Sequence, residues 1–232
     1  PRGGQAVDRV VGILGGMGPQ ATVELMRQIV RATPAEAEQD HVRMLVDSNP
    51  HVPGRTAALT GDGPSPGPEL ARMARGLAEA GADVLAMPCN TAHAFADEIE
   101  AAVDVPLLHM IDLAAQAAAS VPGIDRIGLL ATRGTRRTRL YHDRFDSMGF
   151  ATIEPDEDGQ NVLDELVVKV KTHEPSAVDR DALQGLLVDL VERGADVVVA
   201  GCTEVPLLLP EAPAARVIDP SQVLAEAVVR FC

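Results

Sequence analysis

The chain has 232 residues, a net charge of −14, and a 46% hydrophobic composition with only 2% aromatic residues and no tryptophan. That length suffices for one large or two small α/β units around an aliphatic core. The strong negative charge makes nucleic acid and anionic membrane surfaces poor partners, and it repels an acidic ligand at long range, so a site for such a ligand has to supply its own cations. No apolar run reaches 18 residues and no signal-peptide pattern is present, which predicts a soluble, cytoplasmic protein. Three cysteines, Cys89, Cys202 and Cys232, are too few and too odd in number for a disulfide framework and fit a reducing compartment.

In chain order, an apolar run over residues 10–14 ends in Gly15-Gly16-Met17-Gly18-Pro19, and a helical pattern follows over 19–32. Strand, glycine turn and helix open a βαβ unit. Residues 42–47 read as a second strand, and the Gly/Pro-rich stretch 61–68 as a surface loop able to act as a lid. A helix over 69–80 closed by Gly81 leads to a strand over 84–87. A helix over 92–103, a strand over 105–111 and a helix over 113–119 complete a first half. The pattern then restarts with a strand over 127–131, Thr132-Arg133-Gly134-Thr135 and a helix. A helix over 180–192, a strand over 197–200, Cys202, the short segment Val217-Ile218-Asp219 and a last helix follow. Apolar strands alternating with helices predict parallel sheets covered on both faces, hence an α/β fold in two pseudo-symmetric Rossmann-like halves. The halves divide as 1–118 and 119–232, and the last helix is able to pack back on the first.

The halves also resemble each other in sequence. Residues 79–89 align with residues 192–202 at six of eleven positions, and both segments end in cysteine at the tip of an apolar strand. Val11-Gly12-Ile13-Leu14 echoes Ile127-Gly128-Leu129-Leu130, and Ile111-Asp112 echoes Ile218-Asp219. Ligands of open α/β sheets bind beyond the carboxyl ends of the strands, so two such halves present one cysteine each to a shared cleft. Two thiols suit proton removal on one face of a tetrahedral carbon and return on the other, because a thiol titrates nearer neutrality than a hydroxyl or ammonium. Asn90-Thr91 and Thr203-Glu204 read as helix starts, which lower a thiol pKa and bind carboxylates. Three other uses of the cysteines remain open at this level: small core hydrophobes, a metal site pairing Cys89 with His93, and a Cys–His nucleophile. Gly16-Met17-Gly18-Pro19-Gln20-Ala21 formally matches a dinucleotide fingerprint, but no clear ribose-binding acid follows.

Five motifs together carry a resemblance over nearly the whole chain: Gly15-Gly16-Met17-Gly18-Pro19; Asn49-Pro50 with Arg55-Thr56; Met87-Pro88-Cys89-Asn90-Thr91-Ala92-His93; Leu130-Ala131-Thr132-Arg133-Gly134-Thr135; and Gly201-Cys202-Thr203-Glu204. The chain resembles the aspartate/glutamate racemases, and the aspartate racemase subgroup in particular, since a histidine is expected where Glu204 stands in cell-wall glutamate racemases. The resemblance implies racemisation of aspartate or glutamate with neither pyridoxal phosphate nor metal, commonly in a homodimer. It implies Cys89 and Cys202 as the catalytic pair; the position of Glu204 lets it take protons to or from Cys202 or cap the next helix start. It implies Asn90, Thr91, Thr132, Thr135 and Thr203 as substrate-holding positions; Met17, Gly18 and Asn49 read as further substrate-binding positions, the glycine loop being one whose N–H groups face the amino-acid carboxylate. It also implies Arg55 and Lys171 as the cations for the side-chain carboxylate, with Lys169 as competitor in Val168-Lys169-Val170-Lys171. Family chains often carry Asn-Asn-Pro and Asp-Arg-Thr where this one has Ser48-Asn49-Pro50 and Gly54-Arg55-Thr56. An isomerase or decarboxylase of a related dicarboxylate, and a non-catalytic small-acid-binding protein, are the alternative functions.

Overall fold

A computed structural model describes residues 9–232; the first eight residues of the half read as 1–118 lie outside it. The first half runs β1 (Val10–Gly15), α1 (Pro19–Ala32), β2 (Arg43–Ser48), α2 (Arg55–Thr60), α3 (Gly67–Glu79), β3 (Val84–Ala86), α4 (Ala96–Glu100), β4 (Leu107–Leu108) and α5 (Met110–Ala119). The second runs β5 (Arg126–Leu129), α6 (Arg133–Arg137), α7 (Leu140–Met148), β6 (Ala151–Ile153), α8 (Glu157–Val170), α9 (Ala177–Glu192), β7 (Val197–Val199), β8 (Val217–Ile218) and α10 (Pro220–Phe231). The strands form two four-stranded sheets of the same order, β2-β1-β3-β4 and β6-β5-β7-β8, with every pairing parallel. The α/β class with two equivalent halves is therefore as the sequence predicts.

The internal repeat has a structural reason. Gly81 and Gly194 follow α3 and α9 at φ +96° and +94°, a left-handed turn that side chains with a Cβ resist. Two residues on, Asp83 accepts from the Val10 amide, and Asp196 accepts from the amides of Asp125 and Arg126, so each aspartate holds the start of its half's first strand. Gly12 lies in register with Leu85 and Gly128 with Val198. A Cβ on Gly12 would meet Ala82 at 2.9 Å, and one on Gly128 would meet Ala195 at 3.2 Å. Gly81→Ala adds a methyl that meets no other atom, so it isolates the dihedral cost. Chemical denaturation is expected to show a loss of about 1 kcal/mol.

The echo of Ile111-Asp112 in Ile218-Asp219 is out of register. The element positions equate His109, which precedes α5, with Asp219, which caps α10. Those two helices also cross over. Ile111, Ala114, Ala115 and Ala118 of α5 pack on Ile127, Leu129, Val197 and Val199 of the second sheet. Leu224, Ala225 and Val228 of α10 pack on Val11 and Ile13 of the first sheet and on Leu25 and Ile29 of α1. Each half thus donates its last helix to cover the other, which ties the two sheets into a fixed mutual position.

Several boundaries differ from expectation. Residues 105–111 hold only the two-residue strand β4 and then the start of α5, because Met110 turns in to accept core packing. Residues 92–103 are not one helix: Thr91–Phe95 is a 3-10 turn ahead of α4. The loop read over 61–68 ends earlier than expected: Gly67 and Pro68 already belong to α3, while the Asp62 amide donates to the Ala57 carbonyl. The short strand β6 and the long helix α8 are not predicted from the sequence. Among the described residues, no helix is long and apolar enough to cross a membrane.

Candidate active site

In each sheet the chain order reverses between the first and third strands, β1/β3 and β5/β7. The crevice at such a switch point, beyond the strand carboxyl ends, is where open α/β sheets bind ligands. Cys89 follows β3 and Cys202 follows β7. Both line a single cavity of about 200 Å³ together with Met17, Gly54, Arg55, Thr56, Ala57, Asn90, Thr91, Thr132, Lys171, Thr203 and Glu204. Both sulfurs are free thiols on nearly buried residues, 7% and 5% exposed.

The environments of the two cysteines differ. Cys202 Sγ donates to Glu204 Oε2 at 2.9 Å, and Thr203 Oγ1 donates to the same oxygen at 3.1 Å. Burial, followed by the Glu204 charge, pushes the Cys202 thiol well above its ordinary pKa. The expectation of a thiol acidified by a helix N-terminus is thereby reversed for Cys202. The segments after both cysteines are 3-10 turns of five and four residues, too short to sum a useful dipole. Glu204 precedes the second turn without capping it by its side chain; the carboxylate faces Cys202 instead. Removing its charge lowers the thiol pKa, so alkylation of Cys202 by iodoacetamide is expected to begin at lower pH in Glu204→Gln than in the parent. Peptide mass spectrometry across a pH series measures this, and an unchanged onset would remove Glu204 from control of the thiol.

The cations arrive from both halves. Arg55 opens α2, and its guanidinium donates to the carbonyls of Val52 and Pro53 at 3.1 Å and of Met17 at 3.2 Å. Three of its five N–H groups are thus occupied, and the Nε–H and one Nη2–H have no protein partner among the described residues. Lys171, at the end of α8, brings Nζ to 4.0 Å from Glu204. Lys169 turns the other way and pairs with Asp179 at 2.6 Å, so only Lys171 lines the cavity. The walls that join the halves are hydroxyls: Thr91 Oγ1 lies 3.1 Å from Thr132 Oγ1 and 2.8 Å from Thr135 Oγ1.

Three expected positions stand off the cavity. Thr135 is fully buried behind Thr91 and Thr132. The Asn49 amide is engaged with Glu69 and the His51 backbone. Gly18 lines a small apolar chamber beyond Lys171 rather than the cavity itself. His93 does not reach a thiol. The Met110 amide donates to its Nε2, which leaves Nδ1–H to donate to the Cys89 carbonyl at 2.9 Å. Burial, then the neighbouring His109, drives its pKa down to about 3, so it is a neutral brace for the Cys89 turn with no nitrogen left for a metal or a nucleophile. Among the described residues, no group of three or more His, Cys, Asp or Glu side chains gathers to hold a metal ion. The cavity wall also includes Gly54, Thr56 and Ala57, which the sequence does not mark as site residues, although Thr56 belongs to the Arg55-Thr56 motif. Nor does the sequence mark Tyr141, whose hydroxyl meets Asn90 at 2.6 Å.

The fold and this cavity place the chain among racemases. Residues 14–228 match the model of the Asp/Glu/Hydantoin racemase family, and the chain belongs to that family; it is an isomerase. It is similar to the broad specificity amino-acid racemase RacX of Bacillus subtilis, 26% identical over 231 residues, covering 95% of this chain and 96% of that one. Among solved structures it resembles the Picrophilus torridus aspartate racemase with a TM-score of 0.86 and 29% identity over 96% of this chain and 94% of the other. The Francisella tularensis glutamate racemase in complex with D-glutamate shares the fold, with a TM-score of 0.66 at 15% identity over 97% of this chain and 80% of that one.

Proposed function

We propose that this racemase interconverts the L and D forms of aspartate or glutamate by proton transfer at Cα, with Cys89 and Cys202 as base and acid and no cofactor. The observation that carries the reading is that each half supplies one thiol to the same small cavity, beside two cations that also come one from each half. Racemisation needs a proton taken from one face and given to the other, with the roles exchanged for the opposite enantiomer, and two thiols of one chemical type meet that need. Cys202 holds its proton in the resting site, so it is the donor in the enzyme form that accepts a substrate hydrogen at Cys89. Protonation of Cα from the Cys202 side then leaves the mirror-image form, ready for the other enantiomer. Glu204 takes up and returns the Cys202 proton between turnovers. Arg55 and Lys171 offset the charge of −14 locally and select a side chain that ends in a carboxylate.

The relative named for broad specificity supports a tolerant site, and the aspartate racemase neighbour supports an acidic substrate. Incubation of the protein in deuterium oxide with L- and D-aspartate, glutamate and their analogues, without added cofactor, tests this directly. Deuterium at Cα together with inversion is expected. If no amino acid exchanges while dicarboxylates lacking an amine are turned over, the reaction is a different one.

A further inference from the structure

We infer that Tyr141 is a positioning residue that sets the Asn90 amide so that its Nδ2, a donor, faces the bound amino acid and docks a carboxylate at that point of the cavity. The inference rests on the proposed racemase reading for its ligand, but its geometry is independent of it. Asn90 follows Cys89 in the first half and is 3% exposed; Tyr141 sits on α7 in the second half and is fully buried. The two side chains meet in a 2.6 Å bond from the phenol hydroxyl to Asn90 Oδ1, across 51 residues of sequence.

The direction of that bond decides what the cavity presents. With Oδ1 accepting from the phenol, one buried group stays unpartnered, Asn90 Nδ2. With the amide turned over, Nδ2 would donate to the phenol oxygen, and both Oδ1 and the phenolic proton would be left without partners. Buried polar groups are satisfied wherever the structure allows it, so the first orientation stands, and its single orphan is a buried donor on a residue that lines the cavity. An amino acid at neutral pH offers an ammonium, which only donates, and carboxylates, which only accept. A fixed Nδ2–H pair therefore takes a carboxylate oxygen and turns away the ammonium. Without the phenol, the amide is free to present Oδ1 and the preference is lost.

The chain has one tyrosine and no tryptophan, so its near-ultraviolet absorbance and emission report this phenol with no other tyrosine or tryptophan contributing. Adding aspartate to the parent protein is expected to perturb the tyrosine band. Tyr141→Phe keeps the ring that packs beside Phe145 and is expected to lower kcat/KM roughly tenfold or more, mainly through KM and equally from both enantiomers. Asn90→Asp keeps an acceptor for the phenol but puts an anionic oxygen where the donor was. It is expected to raise KM at least as far, and it serves as the check if Tyr141→Phe folds poorly. Kinetics within twofold of the parent in both variants, with a tyrosine band blind to aspartate, would overturn the inference and leave the racemase reading standing. A tyrosine band that responds to aspartate in a protein that exchanges no Cα hydrogen would do the reverse.

Discussion

Cys89→Ser and Cys202→Ser are each expected to lose racemisation by at least about a hundredfold, the lower end of what positioned acid–base groups contribute. A serine hydroxyl keeps the shape but neither takes nor returns a proton near neutral pH. The two variants should fail differently. Each retains one thiol, and that thiol still faces the hydrogen of one enantiomer only. Deuterium is therefore expected to wash slowly into one enantiomer without inversion in Cys89→Ser, and into the mirror form in Cys202→Ser. Cys232→Ser is the control: this residue ends α10 and lines a separate surface groove, so its rate should equal the parent's. Full activity in either cavity variant, or washing-in of the same enantiomer in both, would refute two thiols acting from opposite faces.

What the sequence reveals and what it hides follow from the range of the contacts involved. The strand-end cysteines were legible because the signal is local and doubled: helix, glycine, aspartate, apolar strand, cysteine, twice over. The fold class followed from the same alternation. Lys171 could not be told from Lys169 by pattern, since the two differ only in which side of the end of α8 they leave. The Lys169–Asp179 pair settles that choice, and its partner lies on the next helix. Helix α8 itself escaped because the strand before it, β6, is a three-residue edge with one exposed and two half-exposed residues, too short for a periodic signal. The turn after Cys89 reads as helix from composition. It tightens to 3-10 because His93 is pinned between the Cys89 carbonyl and the Met110 amide, a contact made with the start of α5. Tyr141 had no signal at all, because its meaning depends on Asn90 in the other half.

Pinned turns and crossed helices serve one end, which is to hold two thiols and two cations fixed in a chain that otherwise carries excess negative charge. The reciprocal packing of α5 and α10 matters here. A hinge between the halves would move Cys89 relative to Cys202, and proton transfer falls off sharply when reacting atoms are misplaced by as little as an ångström. The hydroxyl triangle of Thr91, Thr132 and Thr135 closes the same gap from the cavity side. Thr135 thus supports the site from behind rather than touching a ligand.

Arg55→Ala is expected to cost aspartate turnover roughly ten- to a hundredfold in kcat/KM, as for a lost hydrogen bond to a charged group worth about 1.5–3 kcal/mol, while turnover of alanine changes much less. The reasoning lies in the count of donors. Three guanidinium N–H groups already serve the Val52, Pro53 and Met17 carbonyls, and the two left over suit a carboxylate. Arg55→Lys should fall nearly as far, because an ammonium has three donors in all and cannot both brace three carbonyls and hold a ligand. Lys171→Ala should weaken aspartate less, since that ammonium is half-exposed and already near Glu204. Steady-state kinetics on aspartate and alanine separate the cases. Equal losses on both substrates would mean that Arg55 only braces the loop before α2, and near-parental activity in Arg55→Lys would mean that the two spare donors touch no substrate.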